Sequence, residues 1–182
     1  MATPLEQYAV PVKTYLERHP VLAGLVVSAI LIYKSNDSKH KVLLIQRAAT
    51  DGFPRKWECP GGGVEDSDLT IIDAVIREIQ EETGIGITRQ SILEPVGNTP
   101  DEWVEKRTGL LWRKVTFLVT VEGSGSLEGV KLNPEEHQDF HWASEKELAS
   151  ESREDGSVIE FAYESQKGAI LEGFRVVKEL EQ

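Results

Sequence analysis

A change of sequence period between residues 61 and 85 constrains the fold of this chain most. Three consecutive glycines at 61–63 open the segment, and Gly84 stands where helices commonly stop. Between them, apolar residues recur three and four positions apart, at Ile72, Val75, Ile76 and Ile79. The pattern predicts a glycine-rich loop followed by one amphipathic helix over residues 70–83.

Three carboxylates share one face of the predicted helix. At about 100° per residue, Glu81 and Glu82 lie about 60° and about 40° to either side of Glu78. Like charges at this spacing repel one another, and a hard divalent cation such as Mg²⁺ or Mn²⁺ would offset the repulsion. Acidic helical faces are more often simply solvated. Here Arg77 within the cluster and the glycines before it favour a metal site.

The flanking sequence mixes strands with helices. Strands are predicted at 21–33, 41–47, 56–59 and 110–121, polar turns at 34–40 and 123–126, and helices within 1–20, in two pieces around Pro11, and over 158–182. Such a mixture, without internal repeats or a linker, is typical of an α/β fold with helices packed on a mixed sheet. We expect one domain over residues 1–182.

Charge and composition exclude several classes of partner. Lys and Arg number 20 against 31 Asp and Glu, and the net charge of −11 disfavours nucleic-acid polymers and anionic membranes. The longest apolar run, 21–33, is shorter than the roughly 20 residues that cross a bilayer. Cys59, the single cysteine, has no internal disulfide partner. These features predict a cytoplasmic protein.

Residues 63–85 resemble the Nudix box, G-x5-E-x7-R-E-U-x-E-E-x-G-U, in which U is a bulky aliphatic residue. The second half of the box matches at every position, from Arg77 to Ile85. A strand that ends in Gln46-Arg47 also fits the family. The resemblance covers roughly residues 23–143 and implies a Nudix-like α/β/α sandwich around a mixed β-sheet.

The first half of the box departs from the pattern at one position. Counting back from Arg77, its glutamate should stand at Leu69. Alternatively, one residue is inserted before the helix and Asp68 takes that role. We prefer the insertion, because Leu69 is then free to pack and a carboxylate stays close to the helix start.

The resemblance also implies roles for individual residues. Family members cleave a diphosphate linked to some group X, using Mg²⁺ or Mn²⁺. By position, the metal ligands are Glu78, Glu81, Glu82 and the carbonyl of Gly62, and Arg77 belongs to the catalytic machinery. The general base is either Glu78 or Glu136, which stands before the predicted last strand, where many members have a loop glutamate.

Three further residues are candidates for substrate contact. Arg47 and Arg55 flank the glycine-rich loop and are predicted to contact the distal phosphate, the alternative being solvated cations. Trp103, in a predicted polar loop at 98–108, is a candidate to stack on a base or cover group X, the alternative being a packing cap. His137 and His141 are weaker candidates for the base.

We therefore expect a metal-dependent hydrolase that acts on a small nucleoside diphosphate derivative, such as a nucleotide sugar, ADP-ribose or a damaged nucleoside triphosphate. A metal-activated water would attack phosphorus. One alternative is hydrolysis of a non-nucleotide diphosphate, for instance an isoprenoid one, with an apolar pocket near Trp103. Another is a Nudix-fold binding module without turnover, which only Leu69 favours. Family analogy also suggests a homodimer.

Overall fold

A computed structural model describes residues 4–34, 39–121 and 129–182, so most of the turn predicted at 34–40 and all of that at 123–126 lie outside it. The strands are β1 (Leu22–Lys34), β2 (His40–Arg47), β3 (Trp57–Glu58), β4 (Gly61–Gly63), β5 (Ile92–Val104), β6 (Leu111–Val121) and β7 (His137–Ser144). The α-helices are α1 (Val12–Arg18), α2 (Ile71–Thr83), α3 (Glu145–Ser150) and α4 (Ser165–Leu180). A 3₁₀ turn at Glu6–Tyr8 precedes Pro11 and α1, as the two-piece prediction requires.

One seven-stranded mixed sheet carries the fold, with β1 at its centre. The strand order is β3-β2-β1-β6-β5, while β4 also pairs with β1 and β7 with β2. The β1–β6 pair is parallel, and the other described pairs are antiparallel. Both faces of β1 are buried, which explains why its sequence is continuously apolar rather than alternating.

Helices cover both faces of the sheet and make the two cores. Leu25, Val27 and Leu31 of β1 pack on the side of α2 and the N-terminal helices. Ile30 and Ile32, which lie on either side of Leu31 in the strand, pack on the side of α4. Successive residues of one strand thus point into different cores. The predicted α/β/α sandwich is confirmed.

The helix that carries the carboxylates begins and ends as predicted. The Thr70 side chain caps α2 by accepting a hydrogen bond from Asp73 N. Gly84 takes the left-handed conformation (φ 69°) after the last turn, which a glycine adopts at least cost. Ile72 and Ile79 are buried in the core. The opposite face of α2 is therefore held towards the glycine strand β4.

The glycine-rich segment predicted as a loop contains the short strand β4, which pairs with β1. Two predicted boundaries are also wrong. The polar loop expected at 98–108 is largely strand, because β5 runs to Val104 and pairs there with β6, Trp103 opposite Trp112. The C-terminal helix expected from residue 158 begins at Ser165. Before it, the chain lies along β3, where Trp57 N donates to Glu160 O and Ala162 N donates to Trp57 O. Pairing with strands that are distant in the sequence determines the conformation of both segments. The local residue pattern does not reveal such pairing.

Among the described residues, every helix is too short or too polar to cross a bilayer.

Candidate active site

A polar cleft of about 790 Å³ lies between β4, α2 and the start of β7. Its acidic lining is drawn from three separate parts of the chain and consists of Asp51, Glu65, Glu78, Glu81, Glu82, Glu135 and Glu136. The cleft therefore brings together all three predicted metal-ligand side chains, the predicted carbonyl donor Gly62 and Glu136, the second candidate base.

Glycines at 61 and 62 allow the strand β4 to approach the carboxylates closely. A Cβ at Gly62 would stand 2.6 Å from Glu78 Oε1, and one at Gly61 would stand 2.2 Å from the Val27 carbonyl oxygen. Contacts that short do not occur in folded proteins, so neither position accepts a side chain without displacement. The backbone of β4 thereby forms one wall of the cleft at the carboxylates themselves.

Arg77 connects the end of β4 and the turn before α2 to the carboxylate face of α2. Its guanidinium donates to both carboxylate oxygens of Asp68 (2.9 and 3.0 Å) and to Gly63 O (2.9 Å). It also donates to Glu78 Oε1 (2.8 Å) and Glu81 Oε2 (3.0 Å). Hydrogen bonding to Asp68 is the main reason that the pKa of Arg77 rises above its usual range. These five hydrogen bonds make Arg77 an organiser of the cleft.

The alignment with one inserted residue agrees with this geometry. Asp68 is buried and forms the bidentate pair with Arg77, whereas Leu69 points to solvent and is 79% exposed. Burial alone would raise the pKa of Asp68, but hydrogen bonds from Arg77 and Glu65 N outweigh it and lower the pKa. The expectation that Leu69 packs is wrong, because the turn before α2 directs it outward.

The three carboxylates of α2 differ in environment. Glu81 is exposed, whereas Glu78 and Glu82 are buried. Burial raises the pKa of Glu82 to about 9; a hydrogen bond from Gly61 N (2.7 Å) opposes the rise, and nearby carboxylates including Glu78 add to it. Burial also raises the pKa of Glu78, with Arg77 opposing. Two buried carboxylates, Glu78 and Glu82, thus lie close together in the cleft with few hydrogen bonds to stabilise their charge.

The residues present fit a hard divalent cation. One ligand atom from each of Glu82, Glu136 and His137 lies within 4.8 Å of the others, so Glu82 is the only predicted ligand in this group of described residues, and Glu78 and Glu81 line the same cleft outside it. Carboxylate oxygens are the ligands that Mg²⁺ and Mn²⁺ prefer, and a cation would offset both the burial and the neighbouring negative charges that raise the pKa of Glu82. His137, which the sequence marked only as a weak candidate base, is buried, with Nε2 3.2 Å from Glu58 Oε1.

Arg47 and Arg55 occupy different environments. Arg47 lines the polar cleft and is held by Asp51, by the Gly52 carbonyl and by Glu58, with 2.7 Å to the Glu58 oxygen. Arg55 is exposed, has a positive φ of 62° and lies outside the lining of the cleft. Its predicted phosphate contact therefore has no support in this geometry, and Arg47 is the better-placed cation.

A second cavity, of about 510 Å³, adjoins the polar cleft across β4. Gly61, Gly62, Gly63 and Arg47 line both spaces. The aromatic side chains in the cavity are Phe53, Trp103 and Tyr163, each 40–51% exposed. We call this space the aromatic cavity. Trp103, predicted in a loop, is instead presented by β5, where its ring stacks on Trp112 at 6.4 Å.

Several residues of the aromatic cavity were missed by sequence reasoning. Lys114 of β6 forms an ion pair with Asp101 of β5 at 3.0 Å, and its ammonium group lies 4.8 Å from the centre of the Tyr163 ring. Ser28 and Gln166 also line the space. These residues come from distant elements and carry no common motif, so only the tertiary structure brings them together.

Comparison with known proteins gives a consistent result. The family model described as NUDIX domain matches residues 24–161. An 8-oxo-dGTP diphosphatase of Proteus vulgaris is 36% identical over 69 residues, which are 37% of this chain and 61% of that protein. The m7GpppN-mRNA hydrolase NUDT17 of Danio rerio is 36% identical over 88 residues, 48% of this chain and 24% of that one. The chain thus spans less than two thirds of either relative.

Solved structures share the architecture. A structure described as a Nudix hydrolase from M. smegmatis, RenU, superposes with a TM-score of 0.61 at 19% identity, covering 87% of this chain and 88% of that one. At such identity the likeness concerns the fold.

Proposed function

We propose, from the premise that this chain belongs to the NUDIX domain family, that it hydrolyses a diphosphate linked to a further group X. The observation that carries the proposal is the meeting of Glu78, Glu81, Glu82 and Glu136 in one cleft that opens across β4 into the aromatic cavity. The polar cleft suits a diphosphate with its metals, and the aromatic cavity suits X.

The metal ligands in this proposal are Glu78, Glu81 and Glu82, with the Gly62 carbonyl. Mg²⁺ or Mn²⁺, when bound, supplies positive charge against the phosphoryl oxygens and lowers the pKa of a water. The chain itself fixes the ligand positions, because Arg77 holds Glu78 and Glu81, and Gly61 N holds Glu82. Phosphoryl transfer requires mainly such positioning and charge balance.

Glu136 is the better-placed general base of the two candidates. Glu78 already accepts a hydrogen bond from Arg77 at 2.8 Å and is assigned here as a metal ligand, so its carboxylate is not free to activate a water. Glu136 is exposed to the cleft, and its backbone is fixed by hydrogen bonds with Ala48 and Asn133. In this proposal Arg77 and Asp68 act as positioning residues.

X is proposed to be a nucleoside or its derivative. Two relatives with matching segments are named for action on nucleotides, 8-oxo-dGTP and the mRNA cap. The aromatic faces of Trp103, Phe53 and Tyr163 offer stacking surfaces of the kind that bases use. Arg47, which lines both spaces, is proposed to contact a phosphate of the bound diphosphate.

The test is turnover of a panel of diphosphates with Mg²⁺, followed by mass spectrometry. The panel contains nucleoside triphosphates, nucleotide sugars, ADP-ribose and geranyl diphosphate. We expect cleavage of at least one nucleotide compound, and its loss in the double variant Glu81→Gln, Glu82→Gln. Glu179→Gln, an exposed carboxylate on α4, is the matched control and should keep full activity.

Absence of turnover across the panel would contradict the proposal and favour a binding module. Equal activity of the double variant and the parent would contradict the role of the carboxylates. Cleavage of geranyl diphosphate alone would favour the non-nucleotide alternative.

A further inference from the structure

The aromatic cavity continues inward as a smaller space of about 230 Å³ beneath β5 and α4. The two spaces share six lining residues, Ser28, Cys59, Asp101, Lys114, Ser165 and Gln166, so they form one continuous slot. Its outer part carries the exposed aromatic rings. Its inner part combines apolar side chains, such as Ile30 and Val96, with polar ones, such as Thr116 and Gln166, which distinguishes it from a wholly apolar pocket.

Two buried polar atoms in this slot have no hydrogen-bond partner among the described residues, Ser28 Oγ and Gln166 Oε1. Ser28 is 5% exposed and Gln166 is 7% exposed. A buried polar atom without a partner costs free energy, and natural folds seldom leave one without a reason. Both residues line the two parts of the slot, where a ligand would supply the missing partner.

The position of Ser28 links this slot to the proposed chemistry. Ser28 of β1 pairs with Gly61 of β4, and Gly61 N donates to the carboxylate of Glu82. Gln166 belongs to the first turn of α4, on the far side of the slot from β4. A molecule with its diphosphate in the polar cleft can therefore extend past Gly61 towards both side chains.

The chemistry of the two side chains selects the kind of group that fits. A hydroxyl donates or accepts a hydrogen bond, and a carboxamide offers an acceptor and a donor side by side. The edge of a nucleobase presents donors and acceptors in the same plane, and its flat faces suit the aromatic rings. A hydrocarbon group would leave both polar atoms unpaired and would also lie against the Lys114–Asp101 ion pair.

We propose that Gln166 and Ser28 are specificity residues that hydrogen-bond the polar edge of a nucleobase in X. This inference rests on the proposed diphosphate hydrolysis, whose cleft it extends. In this inference, Gln166 of α4 and Ser28 of β1 make the protein prefer a nucleobase over a hydrocarbon group as X.

The experiment has two arms, so that failure of the inference can be told from failure of the proposed function. In the first arm, adenosine, guanosine, cytidine and uridine are titrated without metal, and tryptophan fluorescence reports binding. We expect one nucleoside to bind the parent protein. Gln166→Leu and Ser28→Ala should each raise its Kd by about 10-fold or more. Gln7→Leu, the same change at an exposed position, should leave Kd unaltered.

In the second arm, kcat/KM is measured for the best nucleotide substrate and for geranyl diphosphate. Gln166→Leu should lower kcat/KM for the nucleotide by about 10-fold and leave that for geranyl diphosphate unchanged or higher. Circular dichroism and Tm of each variant check the fold, and Ser28→Ala gives an independent measure if Gln166→Leu folds poorly.

Three outcomes overturn the inference: no nucleoside binds the parent, both variants bind as the parent does, or the variants lose both substrates equally. The last would make Gln166 merely structural. Nucleoside binding that depends on Gln166, in a protein that cleaves no diphosphate, would support the base site and reject the proposed hydrolysis.

Discussion

Two buried glutamates of this protein, Glu82 in the polar cleft and Glu147 at the start of α3, have opposite electrostatic environments. Each is 7% exposed. Burial alone would raise both pKa values. For Glu147, hydrogen bonds from Ser144 and His141 outweigh burial and lower the pKa to about 2. For Glu82, one backbone hydrogen bond does not outweigh burial and neighbouring carboxylates, and its pKa rises to about 9.

The difference lies in the donors around each carboxylate. Glu147 accepts from Ser144 N (2.8 Å), Ser144 Oγ (2.8 Å), His141 Nε2 (2.9 Å) and Glu154 N (3.2 Å). Glu82 accepts from Gly61 N, while His137 Nε2 stays 3.8 Å away. Glu147 is thus saturated by hydrogen bonds from its own chain, whereas Glu82 keeps acceptor sites free, as the proposed metal site requires.

The largest effect is expected from Glu82→Gln. Removing this charge should lower kcat/KM with Mg²⁺ by more than about 100-fold, beyond the 10- to 100-fold typical of residues that only support metal ligands. Glu82 has a raised folded pKa, so its stabilising contribution is complete below the unfolded value near 4.5 and is lost as pH rises towards 9. In EDTA at pH 8, neutral Gln should therefore raise Tm by at least about 3 °C, measured by calorimetry.

Glu81→Gln is the matched control for that stability effect, because Glu81 is exposed on the same helix. It should leave Tm within about 1 °C, as expected for a surface change. A lower Tm for Glu82→Gln under these conditions would show that Glu82 is as well satisfied as Glu147.

Asp68→Asn is expected to lower kcat/KM by about 10- to 100-fold, the range for residues that orient metal ligands. The substitution removes the charge that holds Arg77 in its bidentate pair, and with it the placement of Glu78 and Glu81. Steady-state kinetics at several Mg²⁺ concentrations would measure it. Unchanged kinetics, together with slow turnover in Leu69→Met, would restore the alignment without an insertion.

Glu147→Gln should act on stability alone. Loss of a charged acceptor with several donors is expected to cost about 1.5–3 kcal/mol at neutral pH, while kcat/KM stays within twofold. Because the folded pKa is depressed, the contribution is present above about pH 4.5 and disappears as pH falls towards 2. Urea unfolding of parent and variant at pH 7 and pH 3 measures this. A difference that grows at low pH would contradict the assignment.

The smallest effect is expected at Leu69. Its side chain is 79% exposed, so Leu69→Ser should change the free energy of unfolding by less than about 0.5 kcal/mol and leave turnover unaltered. Thermal unfolding is sufficient to measure it. A clear loss of stability would mean that Leu69 packs against another surface in solution.

The sequence predicted the parts of the molecule that depend on local period and spacing. The span of α2, its Gly84 end and the common face of Glu78 and Glu82 all follow from 3.6 residues per turn. The choice between Asp68 and Leu69 required the position of Arg77, nine residues from Asp68. A shift of one residue before α2 decides whether Asp68 or Leu69 points inward. The sequence composition alone does not determine this position.

The parts that failed depend on contacts between distant segments. Trp103 lies in a strand because β6 pairs with it, although the surrounding sequence is polar. Likewise, Ser28 and Gln166 share a slot only after the sheet and α4 have assembled. Neither residue type is unusual where it stands, so no sequence signal singled them out.

The contacts of Arg77 have a consequence for the entropy of ligand binding. Its hydrogen bonds fix the rotamers of Asp68, Glu78 and Glu81 when the chain folds. Ordering a flexible side chain at the moment of association costs about 0.5–1.5 kcal/mol each. Because that ordering has already taken place, a cation and a substrate bound as proposed would meet carboxylates that are already in position. Arg77 would thereby contribute to the affinity of the proposed site without touching the cation or the substrate.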